Sequence, residues 1–146
     1  MGVAVVRYFE CFRVGDVHRL GAWAVTEQQI VEFATVFDPQ PRHVDVDGGV
    51  VASGWHVAGI FMRLYVDALL SATAAEVSPG VEEMQWLAPV RPGAVLCGRV
   101  RVLGVQPSMS RPDCGVVHQC GELVDENSVP VLRVVFYGLI KRSPAL

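Results

Sequence analysis

The stretch Trp55 to Val66, Trp-His-Val-Ala-Gly-Ile-Phe-Met-Arg-Leu-Tyr-Val, constrains the fold more than any other part of this chain. At helical spacing it is apolar on nearly every side, and such a helix persists in water only when something wraps it. Ser53 stands where an N-cap is wanted, so the helix is expected to run from there to about Ala74. The wrapping follows in sequence, as runs with strand character at Glu82–Leu87, Ala94–Val105, Gly115–Val124 and Val129–Ile140. Turn-rich segments separate them at Ala88–Gly93, Gln106–Asp113 and Asp125–Asn127. A buried helix followed by an antiparallel meander predicts one α+β domain over residues 1–146, its sheet curled around the helix. In Arg99-Val100-Arg101-Val102 the alternation places the valines toward the helix and the arginines on the other face.

Upstream, an extended segment is expected around Tyr8 to Arg13, then a turn at Val14-Gly15-Asp16 and a second extended run from Val17 to Val25. Thr26-Glu27-Gln28-Gln29 matches a capping box, and Ile30, Phe33, Ala34 and Phe37 form one apolar helical stripe behind it. Pro39 and Pro41 stop that helix and leave Asp38 at its end, while Asp45-Val46-Asp47-Gly48-Gly49 is expected to form a tight loop.

Composition excludes more than it selects. With 51% apolar and only 18% charged residues, the chain is greasier than a small monomer needs, which points to a homodimer or other oligomer. A net charge of −3, with no basic run beyond Lys141-Arg142, argues against nucleic acid as a partner. The longest apolar stretch, Trp55 to Leu70, contains His56, Arg63 and Asp67 and falls short of a bilayer span. The run from Met1 to Arg7 is too short for a signal peptide, and Val6 spoils a myristoylation pattern, so a cytoplasmic protein with no membrane partner is expected. Cys11, Cys97, Cys114 and Cys120 show no CxxC spacing, which fits reduced thiols. Cys114, His118 and Cys120 share one strand face, but three ligands in a row are too nearly linear to enclose a tetrahedral ion, and no metal is expected. Gly-rich phosphate loops, nucleophile elbows and HExxH motifs do not occur.

The chemistry-bearing stretch is Asp38-Pro39-Gln40-Pro41-Arg42-His43, which holds a carboxylate and an imidazole at fixed spacing on a proline-stiffened loop. Ser53-Gly54 then opens the apolar helix, whose N-terminal N–H groups form an oxyanion site beside the pair. An acid/base pair next to oxyanion donors suggests chemistry on a carbonyl compound. His56 is expected to pack or to hydrogen-bond the loop, and Trp55, Phe61 and Met62 to be core or dimer contacts. Glu82-Glu83 reads as a solvated strand start, and Arg99, Arg101 and Arg111 as surface arginines that could also meet the phosphates of a ligand.

Tyr8-Phe9-Glu10, Phe12 to Asp16, Phe37 to Asp45, Ala52 to His56, and Pro89-Val90-Arg91-Pro92-Gly93 together resemble successive landmarks of the MaoC-like dehydratases, the family containing (R)-specific enoyl-CoA hydratases. Asp38, Pro41 and His43 match the spacing of the family's hydratase loop, and the resemblance spans nearly the full chain. It implies a hot-dog fold and addition of water to a trans-2-enoyl thioester of fatty acid metabolism, or the reverse dehydration of a 3-hydroxyacyl thioester. Asp38 and His43 would be the catalytic pair, with Gly54, Ser53 and Gln40 binding the oxyanion or substrate. The resemblance implies no separate cofactor, since coenzyme A or a carrier-protein phosphopantetheine is part of the substrate. Gln40 stands where many members have Asn, Ser53 where many have His, and Val44–Ala52 is shorter than usual, which alters the wall over the acyl tunnel. The alternatives are a hot-dog thioesterase, in which a carboxylate activates water at the carbonyl carbon, and a non-catalytic subunit that binds acyl thioesters.

Overall fold

The computed structural model describes residues 5–144; Met1–Ala4, which bear on the expected absence of a leader, lie outside the described residues. The elements that position the site are β1 (Val17–Ala24), α1 (Glu27–Phe37), a single turn α2 (Pro41–Val44), the central helix α3 (Gly54–Ala68), and strands β2 (Val81–Trp86), β3 (Val95–Pro107), β4 (Cys114–Val124) and β5 (Pro130–Lys141). The strands form one antiparallel sheet in the order β1-β3-β4-β5-β2. The meander therefore comprises β3, β4 and β5 only. After β2 the chain crosses the end of the sheet, where the buried Val90 accepts from the Ala52 N–H (2.8 Å) and the Gly93 N–H donates to Val25 (2.8 Å).

Local chemistry explains the boundaries. The Thr26 hydroxyl accepts from the Gln29 N–H (3.1 Å) and the Gln29 side chain from the Thr26 N–H (3.3 Å), which completes the capping box. Ile30 and Ala34 of the expected stripe are buried, but Phe37 is 73% exposed at the helix end. Asp45 accepts from the Gly48 N–H and closes a 3-10 turn over Val46–Gly48. Around the expected extended segment at Tyr8–Arg13, Phe9–Cys11 instead forms a 3-10 turn, because the Phe9 ring seats directly on Gly115 of β4, where a Cβ would collide with it.

α3 is shorter and less enclosed than its composition suggested. It ends at Ala68, and Leu70–Ala72 continues as a 3-10 turn, because Leu69 leaves helical geometry with its side chain fully buried. Val57, Ile60, Phe61, Leu64 and Tyr65 pack on Val100, Val102, Val117, Leu123 and Val134 of the sheet. Burying one such side chain contributes about 1.5–3 kcal/mol, so this face carries much of the fold's stability. Gly121 supplies the hole for the Phe61 ring. Phe61 is thus core, whereas Trp55 (63%) and Met62 (49%) remain exposed on the opposite face. No helix among the described residues is long and apolar enough to cross a membrane.

Val100 and Val102 are buried and Arg99 and Arg101 exposed, as the alternation predicted. Arg99 pairs with Glu122 (2.6 Å), and Arg111 with Asp113 (3.0 Å) and Glu76 (3.8 Å), so two of the three arginines considered for phosphates face carboxylates. Glu82 and Glu83 are likewise engaged, with His118 (2.8 Å) and Arg133 (3.0 Å), rather than simply solvated. Cys114 and Cys120 are buried free thiols, and Cys11 and Cys97 exposed ones.

Candidate active site

The site forms where α1 ends, α2 turns and α3 begins. Pro39 and Pro41 break α1, and Pro41 occupies the first position of α2, where its missing N–H costs nothing. The expected loop therefore contains one helical turn, which aims His43 back toward Asp38, the C-cap of α1. His43 is buried (6% exposed), and its Nε2 lies 3.3 Å from Asp38 Oδ2. Its Nδ1 is 2.6 Å from the Val51 carbonyl. A carbonyl only accepts, so Nδ1 carries the hydrogen and Nε2 is the atom left to exchange a proton.

Asp38 is held from two sides. The Gln40 side-chain amide donates to Oδ1 (2.7 Å) and the Ser53 hydroxyl to Oδ2 (2.7 Å). These donors, Gln40 first, lower the Asp38 pKa from its ordinary value of 3.8, with smaller help from the charges of His43 and Arg42. Asp38 is consequently a carboxylate at neutral pH. Gln40 and Ser53, the residues expected to bind substrate or oxyanion, both direct these polar groups at Asp38. Ser53 is fully buried, and though it is the N-cap residue of α3 its side chain makes no capping bond.

That geometry leaves the start of α3 open. The first intrahelical bond runs from the Val57 N–H to the Ser53 carbonyl (3.1 Å), so the Gly54, Trp55 and His56 N–H groups have no acceptor one turn back. Partial positive charge gathers at this end of the helix dipole. Asp38, His43, Gly54, Trp55 and Trp86 line one cavity of about 480 Å³. A second, mostly apolar cavity of about 540 Å³ follows along the same helix past Ala58 and Met62, between α3 and strands β2 and β5.

His56 stacks on Phe33 (4.9 Å between ring centroids), with its buried Nδ1 lacking a partner; burial lowers its pKa. It packs as expected and makes no bond to the loop. Sequence reasoning missed two contributors. The Val51 carbonyl, which sets the His43 tautomer, is backbone and carries no residue signature. Trp86, whose indole N–H donates to the Gly54 carbonyl (2.7 Å), comes from the end of a distant strand.

An antiparallel sheet curled against a central helix, with this site at the helix N-terminus, defines a hot-dog protein. The sequence matches the family model of the MaoC like domain over residues 14–119, and the chain belongs to that family. It is similar to the MaoC-like dehydratase from Rhodospirillum rubrum, at 34% identity and a TM-score of 0.86, covering 95% of this chain and 99% of that one. A monoamine oxidase regulatory protein from Archaeoglobus fulgidus is 26% identical, with a TM-score of 0.85 over 95% of this chain and 97% of its own. The uncharacterized protein YdeM of Bacillus subtilis is 28% identical over 138 residues, 90% of this chain and 96% of YdeM. The R-hydratase PhaJ1 from Pseudomonas aeruginosa shares the fold, at a TM-score of 0.72 and 16% identity, over 95% of this chain and 88% of its own.

Proposed function

We propose that this protein is a hydratase/dehydratase acting on an enoyl or 3-hydroxyacyl thioester, with Asp38 and His43 as its acid/base pair. The observation that carries this reading is the convergence, in one cavity, of the ionised Asp38, the His43 Nε2 and the unsatisfied N–H groups opening α3. Water held between Asp38 and His43 adds its oxygen to C3 of the enoyl thioester. One of the pair accepts the water's proton while the other delivers a proton to C2, and a proton passed between Asp38 and His43, 3.3 Å apart, restores both, so that water is added with no other reactant. Electron density moves toward the thioester carbonyl, and the Gly54 N–H, helped by the helix dipole, stabilises the enolate. The apolar cavity along α3 offers room for the acyl chain.

The same reading takes the protein as cytoplasmic, free of metal and redox cofactors, and homodimeric, with coenzyme A or phosphopantetheine carried by the substrate. The uncovered edge strand β2 and the exposed Trp55 and Met62 support the dimer, which light scattering on the purified protein checks. The function is tested with crotonyl-CoA, following the conjugated-enoyl absorbance and free thiol together. Absorbance loss without thiol release supports the hydratase. Stoichiometric thiol release supports a thioesterase, and ligand-induced thermal stabilisation without turnover supports a binding subunit.

A further inference from the structure

We infer that Trp86 is a positioning residue for the amide donors at the start of α3, an inference that rests on the enolate-stabilising role proposed above for Gly54. Ser53 would ordinarily steady the first turn of the helix by capping it, but its hydroxyl is engaged with Asp38 and no side-chain cap bond forms. The first turn is instead tied down from the sheet. The Trp86 indole N–H, on the last residue of β2, donates to the Gly54 carbonyl at 2.7 Å. That oxygen and the Trp55 N–H belong to one peptide unit, joined through the Gly54 Cα to the unit that carries the Gly54 N–H, so the bond polarises the Trp55 N–H and limits the rotation that would turn the neighbouring Gly54 N–H away.

The ring also determines which residue can stand there. A Cβ at position 54 would lie 2.6 Å, 2.7 Å and 3.0 Å from three atoms of the Trp86 indole. Position 54 is therefore glycine because the indole covers it, and a glycine, with its wide conformational freedom, is the residue most in need of an external tie. Trp55 meets the same indole edge-on (5.1 Å between centroids) and braces it from the helix side. Both tryptophans line the cavity that contains Asp38 and His43. Trp86 thus fixes the direction of the donors and restricts position 54 to glycine.

The test compares the full-length wild type with Trp86→Phe, which keeps a ring but removes the N–H, by two readouts. One is kcat and KM for crotonyl-CoA hydration; the other is the near-ultraviolet enolate band of bound acetoacetyl-CoA, which reports enolate stabilisation without any addition of water. The expected result is a kcat lower by about tenfold with KM nearly unchanged, and a weaker enolate band, at a melting temperature close to wild type. Gly54→Ala is expected to lose both activity and thermal stability, and Gly54→Ala/Trp86→Leu, which removes the obstructing ring, to regain the stability but not the kcat. Wild-type kcat and band in Trp86→Phe overturn the inference while the hydratase reading stands. No hydration by the wild type overturns the hydratase reading instead, and the dependence of the enolate band on Trp86 still decides the inference, its absence counting against it.

Discussion

Among the described residues stand two carboxylate–imidazole pairs, and the tighter one is the less suited to chemistry. Glu82 and His118 meet at 2.8 Å on the outer face of the sheet, whereas Asp38 and His43 are 3.3 Å apart. In the outer pair the His118 ring lies flat on Tyr137 (4.5 Å), and Glu82 has its pKa lowered chiefly by a hydrogen bond from the same tyrosine. Glu82 is thus held by both rings, and the cavity beside His118 and Tyr137 is lined by strand residues with no helix N-terminus among them. In the inner pair the Val51 carbonyl occupies one imidazole nitrogen, Gln40 and Ser53 secure the carboxylate, and Nε2 is left facing a cavity that also holds open backbone donors. The difference teaches that an acid/base site is recognised by which atoms are left available, not by how close the two groups stand.

Substitutions that break the inner pair should separate it sharply from the outer one. Asp38→Asn is expected to lower kcat for crotonyl-CoA roughly 10²–10⁴-fold, the usual range for removing a general acid/base group. Asparagine still accepts one of the two donated hydrogen bonds, so the melting temperature should move little. His43→Ala should cost comparable activity and, in addition, about 1–3 kcal/mol of stability in urea titration, because the Val51 carbonyl loses its buried donor. Treating His43 as a mere loop residue would predict no such penalty.

Ser53→Ala sharpens the account of Asp38. Its hydroxyl helps hold the carboxylate ionised, so its removal raises the Asp38 pKa. The acidic limb of kcat/KM against pH should shift to higher pH, with kcat at neutral pH lower by about tenfold, consistent with one lost charge-assisted hydrogen bond of about 1.5 kcal/mol. An unmoved limb would show that Ser53 does not act through Asp38. Smallest of all, His118→Ala and Glu82→Gln should leave kcat within about twofold and stability within about 1 kcal/mol, as expected for partly exposed ion pairs on a surface.

How much of this was legible in the sequence follows from the range of each interaction. The capping box, the proline stop after Asp38, the strand alternation around Val100 and the Asp38-x-x-Pro41-x-His43 spacing are local, and the structure reproduces them. Placement of β2 beside β5, the Phe9 turn seated on Gly115, the Trp86 bond to Gly54 and the exposure of Trp55 depend on partners distant in sequence, and no local pattern announces them. Ser53 was misjudged for a chemical reason: a serine before a glycine-led helix normally accepts a backbone N–H, and only the nearby carboxylate turns its hydroxyl into a donor elsewhere.

The most direct test of the central claim is a side-by-side hydration assay of wild type, Asp38→Asn and Glu82→Gln, following loss of the enoyl absorbance of crotonyl-CoA. The account predicts turnover by the wild type and Glu82→Gln and at least a hundredfold loss in Asp38→Asn. Undiminished turnover in Asp38→Asn, or a comparable loss in Glu82→Gln, would contradict it.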